Sequence, residues 1–100
     1  MKYLIQNTEL NGSKVDIAIS DGKIAEVGTQ ISRDGYQVVN GNGTVCLQGL
    51  VDLHTHLREP GKEDSETVAS GSLAAVKGGF TAVSAMANTS PVADTAGVVE

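Results

Sequence analysis

Aromatic side chains are nearly missing from this sequence: it has two tyrosines, one phenylalanine and no tryptophan in 100 residues. Any core must therefore be built from Val, Ile, Leu and Ala. There is a single cysteine, Cys46, which excludes an internal disulfide framework. Its place in the apolar run Thr44-Val45-Cys46-Leu47 reads as a small buried hydrophobe rather than a reactive thiol. Seven basic residues stand against twelve acidic ones, with a net charge of −5 and no basic cluster, so the electrostatic footprint of a nucleic-acid binder is absent. An anionic small molecule stays compatible, because one local arginine can serve it. No apolar stretch approaches the roughly 20 residues of a membrane span. The opening MKYLIQNTEL carries too brief an apolar patch for a signal peptide. With the lone cysteine, that suggests a reducing, cytoplasmic setting. A content of 40% hydrophobic and 19% charged residues is that of an ordinary folded protein, long enough for a modest core.

Two textures meet near residue 48. Before it, alternating apolar runs (Tyr3–Gln6, Val15–Ile19, Lys23–Val27) are separated by Asn11-Gly12 and Asp21-Gly22. Such Asx-Gly pairs between alternating runs signal hairpins. In the second run Ile17 and Ile19 should point one way, and Asp16, Ala18 and Ser20 the other. Gly41-Asn42-Gly43 then breaks the pattern. Residues 1–48 thus read as an antiparallel β-segment without a catalytic group.

After residue 48, Leu50–Leu57 reads as a strand and residues 58–64 as a loop turning at Pro60-Gly61. Asp64 or Ser65 is placed to cap a helix running to about Lys77 and closed by Gly78-Gly79. Phe80–Met86 is a second strand, and another helix begins near Asp94. Strand, helix and strand with short connections make a βαβ unit with parallel strands. One such unit cannot cover its own faces, so residues 49–100 read as the incomplete opening of a barrel in a longer protein.

In a strand, residues i, i+2 and i+4 share a face, which aligns Asp52, His54, His56 and Arg58. Two imidazoles about 7 Å apart at Cα can converge on one metal ion, and imidazole suits zinc. A bare His-x-His also arises as one buried and one exposed histidine without a metal. The metal reading gains because His54 and His56 are the sole histidines, share a face, and sit toward the C-terminal end of a strand, where parallel barrels hold their active sites. Asn88 on its own reads as a turn residue before Thr89-Ser90-Pro91. Asp52 lies below the histidines as a supporting group, while Glu59, Glu63 and Asp64 read as loop charge or helix capping.

The stretch GLVDLHTHLREPG, then a helix, then GGFTAVSAMANTSPVAD, resembles the amidohydrolase superfamily, within it the cyclic amidohydrolases, and most closely the type I dihydroorotases. The likeness is strong over residues 44–95 and general over residues 1–43. His-x-His marks the superfamily. The residue two beyond it is arginine in dihydroorotases, as Arg58 is here, and typically asparagine in allantoinases. Two departures are Ala87 and Gln48, where the family usually has proline; both are backbone-stiffening positions rather than chemical ones. The resemblance implies an α/β fold, a metal-dependent (β/α)8 barrel with a smaller β-domain to which residues 1–48 contribute. It implies zinc-dependent, reversible cyclisation of N-carbamoyl-L-aspartate to L-dihydroorotate in pyrimidine biosynthesis. His54 and His56 would hold one zinc of a binuclear centre, and Arg58 and Asn88 would hold the substrate carboxylate. The proton-shuttling Asp, further histidines and a bridging carboxylated Lys or Asp would lie beyond residue 100, leaving residues 1–100 inactive alone. Homo-oligomers or association with aspartate transcarbamoylase are the implied assemblies. The alternatives are a dihydropyrimidinase or allantoinase, which Arg58 argues against, and an inactive dihydroorotase-like structural subunit.

Overall fold

Two Asx-Gly dipeptides set the course of the first strands. Asn11 and Asp21 have φ of 51° and 50°, and Gly12 and Gly22 have φ of 85° and 78°. Left-handed backbone at both central residues is what a two-residue hairpin turn needs to match strand twist. The turns join β1 (Lys2–Leu10), β2 (Ser13–Ser20) and β3 (Lys23–Gly28) as antiparallel neighbours. A fourth strand, β4 (Gln37–Asn40), then pairs with β1 in parallel. The sheet order is β3-β2-β1-β4, so the segment is mixed rather than antiparallel throughout. The cause is the irregular crossover between β3 and β4, which carries the chain to the opposite edge and leaves no periodic mark in the sequence. This computed structural model describes all of residues 1–100, in two compact units, Met1–Gln48 and Gly49–Glu100.

The core of the first unit is small: Leu4, Ile17 and Ala18 are buried, together with Thr8 and Asp16. Alternation assigned Asp16 and Ile17 to opposite faces, and both faces of β2 are covered there. Asp16 is only 6% exposed, and its two carboxylate oxygens accept the backbone N–H groups of Asn7 and Ile31 at 3.0 and 3.1 Å. Asn7 sits at φ 61° where the β1–β2 register slips, so its N–H leaves the ladder and the carboxylate takes it up. Cys46 is half-exposed rather than buried.

In the second unit β5 (Leu50–Thr55) and β6 (Phe80–Ala85) pair in parallel, linked by α1 (Val68–Lys77), and a single turn, α2 (Ala96–Val99), follows. This is the βαβ unit that the pattern predicts, with shifted ends. Thr67, not Asp64 or Ser65, caps α1: its hydroxyl accepts Ser70 N–H at 3.0 Å and Ser70 Oγ accepts Thr67 N–H at 2.9 Å. That reciprocal pair satisfies two donors at the helix start, which a lone acidic residue earlier in the loop would not. A Cβ on buried Gly71 would meet Leu57 Cδ2 at 2.7 Å, so glycine lets α1 approach the segment leaving β5. Gly79, at φ 87°, makes the left-handed exit. Little else is covered: Val51, Leu53 and Val76 are 58%, 77% and 69% exposed. No helix is long and apolar enough to cross a membrane.

Candidate metal centre

The histidines stand where β5 ends. Leu50 pairs with Phe80 and Thr55 with Ala85, and Met86 N–H donates to Thr55 C=O at 2.8 Å. Both parallel strands therefore finish level, with His56 just beyond one end and Asn88 just beyond the other. The imidazole centroids of His54 and His56 are 5.3 Å apart, with ring planes inclined at 67°. The two rings are brought together at the strand end.

His56 Nδ1 lies 2.9 Å from Asn88 Oδ1. A carbonyl oxygen only accepts, so in the neutral ring the proton is on Nδ1 and the lone pair is on Nε2. That is the state in which an imidazole binds a metal, with its other nitrogen held by an oxygen. The donor set fits one part of a zinc site. It does not complete one, since a catalytic zinc ordinarily takes three protein ligands and no group of three or more His, Cys, Asp or Glu side chains forms in the chain.

Arg58 departs from the straight row. The strand stops at Thr55, and Arg58 is the exposed centre of a three-residue turn closed by Glu59 N–H donating to Leu57 C=O. Its φ is 45°, a left-handed value costly for a residue with a long side chain. Alternation therefore does not extend to Arg58. The loop after it is fixed by carboxylates. Glu59 Oε2 accepts Val68 N–H, the first of α1, at 2.6 Å, an anionic contact suited to a helix N-terminus. Glu63 Oε1 accepts Gly61 N–H at 2.9 Å, and this bond, with one from its own backbone, holds the Glu63 carboxyl below its ordinary value. Asp52 Oδ1 accepts His54 N–H at 3.0 Å, so it supports the backbone of a histidine. Asp64 makes no hydrogen bond to the chain through its side chain. A hollow of about 530 Å3 lies among Leu57, Glu59, Val68, Met86, Thr89 and Val98. Neither imidazole nor Asn88 borders it, so the candidate site is the strand ends.

The partnership of Asn88 with His56 is not legible in the sequence, where 32 positions separate them. The one signal that could have found it is that His56 follows β5 at once and Asn88 comes shortly after the end of β6, its parallel neighbour.

Comparison with known proteins bears on the same segment. A family model described as dihydro-orotase-like matches residues 43–100. A dihydroorotase of Streptomyces coelicolor is 58% identical over 100 residues, covering 99% of this chain and 23% of its own length. One of Leifsonia xyli subsp. xyli is 61% identical over 90 residues, covering 90% of this chain and 20% of its own. The chain thus spans about a fifth of these relatives. Among solved structures, a D-hydantoinase superposes with a TM-score of 0.72 at 31% identity, over 83% of this chain and 19% of that one.

Proposed function

Because the chain belongs to the dihydro-orotase-like family, we propose that it is the opening part of a zinc-dependent dihydroorotase, interconverting N-carbamoyl-L-aspartate and L-dihydroorotate. The observation that carries the metal half of this reading is the pair of imidazoles 5.3 Å apart, one of them with Nδ1 engaged by Asn88 Oδ1. The substrate half rests on Arg58 and on identity: 58% and 61% to the two dihydroorotases, against 31% to the D-hydantoinase.

His54 and His56 would hold one metal of a two-zinc centre, and its other ligands and a proton-shuttling aspartate would come from the parts of the dihydroorotases that this chain, about a fifth of their length, does not span. When bound, zinc supplies Lewis acidity for attack of water on the ring amide. The residues of this chain do the rest of the positioning. The Arg58 guanidinium matches a carboxylate with two parallel hydrogen bonds, and Asn88 adds a second contact, so that the substrate amide is held in one place. A ring without that carboxylate gives Arg58 no counter-ion. Residues 49–100 are read as the first βαβ of a (β/α)8 barrel. Support comes from the exposed apolar side chains of β5 and α1, Val51, Leu53, Leu73 and Val76, which further strands and helices of a barrel would cover. Residues 1–48 are read as a share of a smaller β-domain.

The test is metal content. In the full-length protein His54→Ala and His56→Ala should each lower bound zinc and abolish turnover of dihydroorotate. Unchanged zinc and turnover in both would remove the assignment.

A further inference from the structure

An amide has two ends of opposite polarity, and in Asn88 only one of them is engaged. Oδ1 faces the Nδ1–H of His56 at 2.9 Å, and Nδ2 makes no hydrogen bond to the chain, on an exposed residue. The side chain bridges the ends of two parallel strands, whose last ladder contact is Met86 N–H to Thr55 C=O. Turning the amide over would set an NH2 donor against Nδ1. The imidazole would then carry its proton on Nε2, with no lone pair left there for a metal.

We infer that Asn88 is a positioning residue for His56, and that this hydrogen bond in turn sets which end of the amide meets the substrate. With Oδ1 committed to His56, the group left to face the ligand is the NH2, a donor, as a carboxylate requires. The metal ligand and the substrate contact are thus read from one side chain whose two functions fix each other. This rests on His56 being a metal ligand and on a carboxylate substrate, and it adds the tautomer and the amide orientation to that reading.

Two substitutions separate the two ends. Asn88→Leu removes both. Asn88→Asp is nearly isosteric and keeps an acceptor for Nδ1–H, but offers the substrate an oxygen in place of the NH2. In metal-free full-length protein labelled with 15N-histidine, long-range 1H–15N spectra distinguish the two neutral tautomers of His56. The parent and Asn88→Asp should show the Nδ1–H form, and Asn88→Leu should lose it. Zinc affinity, measured by competition with a chelator, should fall about 10- to 100-fold in Asn88→Leu, the usual range for a lost partner of a metal-bound histidine. In Asn88→Asp it should hold, while KM for dihydroorotate rises at least about tenfold with zinc loaded.

Retention of the Nδ1–H form and of zinc affinity in Asn88→Leu would overturn the positioning role. Unchanged KM in Asn88→Asp would overturn the amide orientation, and that nearly isosteric variant carries the test if Asn88→Leu fails to fold. Loss of zinc in His56→Ala alongside a neutral Asn88→Leu would defeat this inference alone. No loss of zinc in His56→Ala would defeat the metal reading beneath it.

Discussion

The Asp52 carboxylate accepts the backbone N–H of His54, two residues further along the same strand, at 3.0 Å. The bond falls where the β5–β6 ladder slips: Asp52 pairs with Val83 and Thr55 with Ala85, so three steps on one strand meet two on the other. An extra residue in a ladder leaves backbone groups unpaired and re-aims side chains. Here the unpaired N–H belongs to a proposed metal ligand, and the acceptor lies two residues upstream on the same strand.

Asp52→Ala is therefore expected to weaken zinc binding without removing a ligand. Partners that fix metal-binding histidines are typically worth about 10- to 100-fold in affinity. Acting through the backbone, Asp52 belongs at the low end, so a loss of about tenfold is expected. Asp52→Asn keeps an acceptor oxygen and should stay within about threefold of the parent, by the same scale. Chelator competition on both variants checks this, and equal losses in the two would show that charge, not the bond to His54, is what matters.

Asp16 gives a second prediction, on stability. The carboxylate is nearly buried and is the acceptor for Asn7 and Ile31 N–H. Asp16→Ala strands both donors, and a buried polar group left unmatched costs about 1–3 kcal/mol. Amide exchange at Asn7 and Ile31 in the full-length protein should quicken by at least about tenfold, the equivalent of ~1.4 kcal/mol. Asp16→Asn should protect one amide and release the other. Unchanged exchange at both positions in Asp16→Ala would mean the bonds contribute nothing to local stability.

How much of this could be read beforehand depends on whether the signal was local. The two hairpin turns were legible, because left-handed backbone at two successive residues demands Asn-Gly or Asp-Gly. The parallel pairing of β5 with β6 was legible too, through the length and composition of the helix between them. The role of Asp16 was not: alternation tells which residues share a face, and the cover comes from irregular backbone near Ile31 that has no period. The start of α1 is not legible, because several residues of the loop can cap a helix and only the pairing of Thr67 with Ser70, three positions on, closes the box. At the site, His54 and His56 were legible as neighbours at the end of one strand. The turn at Arg58 was not, since nothing local in Leu-Arg-Glu demands φ above zero there.

That turn makes Arg58 a clean position at which to test substrate choice. Arginine and methionine are both long and unbranched at Cβ and pay a similar backbone cost at φ 45°, so Arg58→Met changes the side chain while leaving the strain in place. Methionine keeps much of the length and loses the charge and all five donors. If the guanidinium holds the substrate carboxylate, kcat/KM for dihydroorotate should fall about a hundredfold or more, equivalent to roughly 3 kcal/mol for a lost charge-assisted contact. Zinc content should stay normal, because Arg58 is not among the proposed ligands. Arg58→Lys should recover only part of the loss, since an ammonium cannot form the paired bonds. Dihydrouracil, a ring of the same kind without the carboxylate, is the control: any turnover of it by the parent should respond little to Arg58→Met. The deciding quantity is the ratio of the two kcat/KM values before and after substitution. If both substrates lose rate equally while zinc is retained, the left-handed turn at Arg58 serves the loop rather than the ligand, and the choice of dihydroorotate over its neutral relatives must be made elsewhere in the protein.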